Sequence, residues 1–163
     1  MLTILPKWFD PTEHVDYLSS QNWVEHNPGP LLLENELAAS EHLWKYIRGD
    51  ELYAEADKTF RCEHFRYHSQ DKKFAHLLAN EHRQPLGPHV DCPTVPEEVV
   101  NGDNFTTVLA YLTDDYEGGR LLVPPADFKP KAGTVILMDG HLQHEVQKCR
   151  GRRIVAVTHL WRT

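Results

Sequence analysis

The sequence predicts a mainly β jelly roll with helices packed outside it. Three observations lead there. Two helix-like stretches come first, followed by about eight short strand-like runs separated by turn signals. No helices alternate with those runs, which speaks against a parallel doubly wound sheet. The 163 residues, 40% hydrophobic and 25% charged, suit one globular domain with a real core. The expected organisation is a single domain over 1–163, with helical support over 1–58 and the jelly-roll core over 59–163.

Asp10-Pro11-Thr12-Glu13 reads as a helix start. Asp10 can cap, Pro11 suits the first helical position, and Glu13 completes a capping-box-like pattern. This helix should reach about Ser20, with Val15 and Leu18 inward. Asn27-Pro28-Gly29-Pro30 is a turn cluster. A second helix is predicted over about 34–48, ended by Gly49, because Leu37, Trp44 and Ile47 recur near helical spacing.

From Phe60 to Tyr67 the pattern alternates like a strand. His64 and His68 are four apart, which suits a helical metal pair; the strand pattern argues against it. Residues 69–73 read as a polar turn and 75–80 as a short strand. Pro88 to Pro93 carries His89-Val90-Asp91, and 94–104 reads as a polar loop near the site entrance. Phe105 to Leu112 is a strong strand, 114–119 a turn, and Arg120 to Val123 a strand stopped by Pro124-Pro125. Lys129 to Gly133 is another turn. Thr134 to Met138, Gln143 to Gln147 and Arg153 to Trp161 complete the strands.

The formal charge of −7 argues against non-specific binding to nucleic acid or an anionic membrane. The basic run from Lys148 to Arg153 reads mostly as a solvated turn. Cys62, Cys92 and Cys149 show no Cys-x-x-Cys spacing, so reduced thiols in a cytoplasmic protein are expected. No apolar run approaches the roughly 18 residues of a membrane span, and the start has no signal-peptide pattern.

His89 and Asp91, two apart on a strand, share one face and can grip one ion together. With His144 from a later strand they form a two-histidine, one-carboxylate set, which leaves open positions on an octahedral metal. His-x-Asp alone is a weak signal: its alternative is an exposed turn, and a strand histidine is more often packed than ligating. The order raises the odds. After His144 comes a strand arginine, able to fork onto a carboxylate.

These segments resemble the iron(II)- and 2-oxoglutarate-dependent oxygenases, in their prolyl 4-hydroxylase-like branch. PHVDCP, TTVLAYLTDDYEGGRL, FKPKAGTVILMDG, HEVQ and GRRIVAVTHLW match in the family's order, over about half of the chain. The resemblance implies a double-stranded β-helix. It implies His89, Asp91 and His144 as iron ligands and Arg153, nine residues after His144, as the clamp on the distal carboxylate of 2-oxoglutarate. Arg152 should face the other way. Tyr111 would bond the same carboxylate, or be a core tyrosine. His141 is the rival of His144. Fe(II), 2-oxoglutarate and O2 are implied, and ascorbate is admitted.

There are departures. Arg120 replaces the usual Glu after the paired glycines and could meet a substrate carboxylate or be a surface charge. The usual Tyr before His-x-Asp is missing, with Glu81 or His82 near its place and Tyr67 a substitute. Val157 stands where a hydroxyl residue is common. The expected reaction hydroxylates an unactivated C–H bond of a prolyl residue or free amino acid, releasing succinate and CO2. The expected partner is a small amino acid or short peptide, not nucleic acid or membrane. The alternative is a non-catalytic cupin-like metal binder, which would not need Arg153. Nucleic-acid repair is disfavoured by the charge and by the lack of a basic, aromatic-rich lid.

Overall fold

The apolar run beginning at Phe105 becomes an interior strand with both faces covered. The computed structural model describes residues 2–25, 31–33, 36–55, 60–62, 66–69, 86–90, 105–151 and 153–162. In chain order the elements are β1 (Leu2–Leu5), α1 (Thr12–Ser19), β2 (Trp23–Glu25), β3 (Leu31–Leu33), α2 (Glu36–Tyr46), α3 (Gly49–Glu55), β4 (Phe60–Cys62) and β5 (Arg66–Ser69). Then come β6 (Leu86–His89), β7 (Phe105–Tyr111), β8 (Tyr116–Gly118), β9 (Leu121–Val123), β10 (Ala126–Phe128), β11 (Val135–Asp139), β12 (His144–Val146), β13 (Cys149–Gly151) and β14 (Ile154–Arg162).

The larger sheet runs β1-β11-β7-β14-β5-β3-β2, and β4 also pairs with β14. The smaller sheet runs β10-β9-β12-β6, and β13 with β8 forms a separate ladder. Every pairing described is antiparallel. Partners distant in sequence, such as β1 with β11 and β6 with β12, are the wrap of a jelly roll.

Alternation along the strands divides the core in two. Val108, Ala110, Val135, Leu137, Ile154 and Ala156 pack with Leu18, Leu43 and Ile47 of the helical layer. Their neighbours Leu109, Tyr111, Ile136, Met138 and Val155 pack with Leu121, Val123 and Val146 of the smaller sheet. Burial on both faces explains why β7, β11 and β14 read as nearly continuous apolar runs. The helices therefore lie outside the sandwich, and the site lies inside it.

The helix starts follow the sequence only in part. Asp10 Oδ1 accepts from the Thr12 N–H at 3.0 Å and the Thr12 hydroxyl at 2.7 Å, holding the turn that opens α1. Pro11, not Asp10, is the N-cap, and Glu13 accepts from the Tyr46 hydroxyl at 2.6 Å. His14 and Leu18 are its buried residues, and Val15 is half-buried. The expected second helix is α2; Arg48, at φ 52°, ends it, and Gly49, read as the stop, instead opens a further helix, α3. Gly49 is needed for closeness: a Cβ there would lie 1.7 Å from Cε2 of Trp44.

Several strands were not anticipated. β1, β2 and β3 place three strands of the larger sheet within the first 58 residues. β10 folds back on β9 across Pro124-Pro125, and β8 and β13 pair where turns were expected. The alternating run from Phe60 is divided into β4 and β5, which pair with opposite ends of β14. The 27–30 turn cluster, the turn over 70–73, the strand expected at 75–80 and the 94–104 loop lie outside the described residues. Among the described residues no helix is long and apolar enough to cross a membrane, and Cys149 is buried and not in a disulfide.

Candidate active site

Two histidines meet on the smaller sheet. β6 and β12 pair so that His89 and His144 are directly opposite. Their ring centroids are 4.4 Å apart, with the planes tilted by 55°. His144 is buried and shares the inner face of β12 with Val146; His89 is half-buried. Each ring leans on the carbonyl two residues before it. His89 Nδ1 is 2.8 Å from Gly87 O, and His144 Nδ1 is 3.0 Å from Leu142 O. A carbonyl only accepts, so each Nδ1 carries the proton and each lone pair sits on Nε2. A backbone partner that fixes the tautomer in this way is how metal-binding imidazoles are oriented.

Asp91 lies outside the described residues, as do Arg152, His64, Glu81 and His82. Among the described residues no group of three or more His, Cys, Asp or Glu could hold a metal. The pair His89 and His144 is what the described chain brings together, with Asp91 following two residues after His89. His141 is exposed on the turn after β11, whereas His144 is opposite His89.

A second cluster lies on the larger sheet. Tyr111 ends β7 and is fully buried; Arg153 directly precedes β14 and is 7% exposed. Arg153 is two residues from Val155, which faces the inner cluster with Tyr111. The Arg153 Nη2 group donates to the Tyr111 hydroxyl at 3.2 Å, with the guanidinium 5.5 Å from the ring centroid. Arg153 Nε is buried and has no hydrogen-bond partner, and among the described residues no carboxylate pairs with this cation. Burial disfavours the Arg153 cation; the opposing pull that carries its pKa above the ordinary value comes from Tyr111, Tyr116 and Cys149 as anions, so near neutral pH the cost of burial stands. The group is a fixed, buried positive charge.

The same cluster holds a residue that sequence reasoning missed. Tyr116 opens β8, is 5% exposed, and has a buried hydroxyl with no hydrogen-bond partner. Arg153 acts on this phenol both through its charge and as a nearby hydrogen-bonding group, although the hydroxyl meets full hydrogen-bond geometry with no partner. Burial first, and Tyr111 next, push its pKa upward, so it remains a donor. The available signal was Gly118-Gly119. At Gly119, φ is 62°, and a Cβ would sit 2.9 Å from the Tyr116 ring and 2.9 Å from Cys149 Cβ.

An uncompensated buried cation costs several kcal/mol. A carboxylate here would accept from Arg153 Nε and from the phenols, and its charge would offset that cost. The donor set therefore fits the distal carboxylate of a dicarboxylic cosubstrate. Two Nε2 lone pairs on the opposite sheet fit a divalent metal.

Other candidates fall elsewhere. Arg120 is bound to Asp127, with Nε 2.7 Å from Oδ1 and Nη2 3.2 Å from the Asp127 carbonyl. It ties the β9–β10 hairpin together, so its charge is already matched within the chain. Tyr67 pairs with Ala156 through the backbone, and its side chain lies outside the described residues. Val157 is half-buried against the inner cluster.

Residues 74–161 match the model of the 2OG-Fe(II) oxygenase superfamily. No curated protein matches the chain in sequence. Among solved structures it resembles the viral collagen prolyl hydroxylase of Paramecium Bursaria Chlorella virus-1 in its 2OG complex, with a TM-score of 0.64 and 12% identity, covering 99% of this chain and 96% of that one. HygX from Streptomyces hygroscopicus, with nickel and 2-oxoglutarate bound, gives 0.70 and 14% identity over 99% and 83%. A prolyl hydroxylase from Trichoplax adhaerens, in complex with a hypoxia inducible factor peptide fragment, gives 0.65 and 14% over 98% and 83%. These likenesses agree with the jelly roll described above, and the family match spans more than half of the sequence: the chain belongs to the 2OG-Fe(II) oxygenase superfamily and is an oxygenase.

Proposed function

We propose that this oxygenase hydroxylates an unactivated C–H bond of a prolyl residue or a free amino acid. In this reading His89, Asp91 and His144 hold Fe(II), and Arg153 with Tyr111 holds the distal carboxylate of 2-oxoglutarate. The observation that carries it is the buried Arg153 guanidinium, with Nη2 donating to the Tyr111 hydroxyl and Nε unpartnered. A cupin-like metal binder would have no use for such a clamp.

Together the metal and cosubstrate supply the oxidation: one O2 is consumed, 2-oxoglutarate splits to succinate and CO2, and one oxygen atom enters the C–H bond. The chain's residues bind and orient. The Gly87 and Leu142 carbonyls hold the two imidazoles in one tautomer. Arg153 and Tyr111, locked in the core between the sheets, set the depth and direction of the cosubstrate.

The substrate class rests on the similar structures. Two proteins of similar structure are prolyl hydroxylases, and HygX, also similar, has a structure with hygromycin B bound. The protein is proposed to act as a single domain in the cytoplasm, with ascorbate as a supporting reductant. The test is succinate release from 2-oxoglutarate with proline peptides and free amino acids, paired with mass spectrometry of the candidates. Gain of one oxygen atom by either class is expected. Binding of metal and 2-oxoglutarate without turnover on either class would contradict the substrate assignment.

A further inference from the structure

We infer that Tyr116 is a third donor to the distal carboxylate of the cosubstrate, alongside Arg153 and Tyr111; this rests on the clamp proposed above. Arg153 Nε and the Tyr116 hydroxyl are both buried without hydrogen-bond partners. Tyr111 accepts from Arg153 Nη2, so its own hydroxyl proton remains to be donated. Native proteins rarely leave such groups unsatisfied, and two in one electrostatically coupled cluster call for a common acceptor. A carboxylate offers about four lone-pair sites, enough for these donors, and its charge balances Arg153.

The Tyr116 ring is held for this task. The Lys129 ammonium donates to the Tyr116 carbonyl and lies 4.4 Å from the ring centroid. Gly119 packs against the ring edge, and β13 pairs with β8 so that Gly151 is opposite Tyr116. The β8–β13 ladder thus carries the phenol to an arginine on the larger sheet. A tyrosine kept only for packing would do as well without its hydroxyl.

Calorimetry under nitrogen on the Mn(II)-loaded protein tests this without turnover. Two titrants are compared: 2-oxoglutarate, and oxalate, which chelates metal but has no distal carboxylate. Loss of one hydrogen bond to a charged group should weaken 2-oxoglutarate binding by Tyr116→Phe roughly tenfold to a hundredfold. Oxalate binding should stay unchanged. If Tyr116→Phe binds 2-oxoglutarate like the wild type while Arg153→Met does not, Tyr116 is a packing residue and the inference fails alone. If Arg153→Met also binds normally, the clamp itself is wrong. Equal weakening of both titrants in Tyr116→Phe would show a structural effect and overturn the inference.

Discussion

Arg153→Met tests the clamp through stability as well as binding. The wild-type guanidinium is 7% exposed, bonded to a neutral phenol, and has Nε unpartnered. Its removal takes away a buried charge without breaking an ion pair. Ligand-free stability should therefore hold, or rise by roughly 1 kcal/mol, instead of falling as buried truncations do. Binding should behave oppositely. Truncating a buried, hydrogen-bonded charge pair costs about 2–5 kcal/mol; at about 3–4 kcal/mol, 2-oxoglutarate affinity should drop by two to three orders of magnitude. In a thermal melt of metal-loaded protein at about 100 times the wild-type Kd, the ligand contributes about 2.7 kcal/mol, or roughly 5–10 °C for a chain of this size. The variant should lose nearly all of that shift while still binding metal. An undiminished shift in Arg153→Met would refute the clamp and make Arg152 the next candidate.

Three more expectations follow from the geometry. His144→Ala should lose iron-dependent succinate release altogether, because His89 would have no opposite imidazole; wild-type turnover would remove His144 from the site. Gly49→Ala should destabilise the fold by about 1–3 kcal/mol in urea, since the new methyl must displace the Trp44 ring; an unchanged midpoint would mean that the ring moves freely. His14 is buried against His42, at 2.8 Å between Nδ1 atoms, and burial first, then His42, lowers its pKa from 6.5 to about 3. Its contribution is complete above pH 6.5 and is lost as pH falls toward 3, at up to about 1.4 kcal/mol per pH unit. His14→Gln should flatten this slope between those limits, and identical pH–stability curves would contradict it.

What could be read from the sequence depended on how locally each feature is determined. β7, β11 and β14 announce themselves because both faces are buried and most of their residues are apolar. β1, β8, β10 and β13 are three or four residues long and owe their strand character to distant partners, such as Leu2 opposite Met138. Gly49 reads as a helix stop, but its reason for being glycine is the Trp44 ring, and the break belongs to Arg48. At the site, the resemblance to the family, through the spacing from His144, pointed to Arg153, and the order of motifs singled out His89 and His144. Tyr116 stayed hidden because its environment comes from β13 and from Arg153, more than thirty residues on. Arg120 looked available because its partner Asp127 is adjacent only once the hairpin closes.

The central claim is that one chain binds metal through the two histidines and 2-oxoglutarate through Arg153. Anaerobic titration of the apo-protein with Fe(II), then 2-oxoglutarate, tests both at once by visible absorption. A weak charge-transfer band that needs both additions, saturates at one iron per chain, and is absent in His144→Ala is the predicted result. Iron bound at one per chain with no band on adding 2-oxoglutarate would contradict the account.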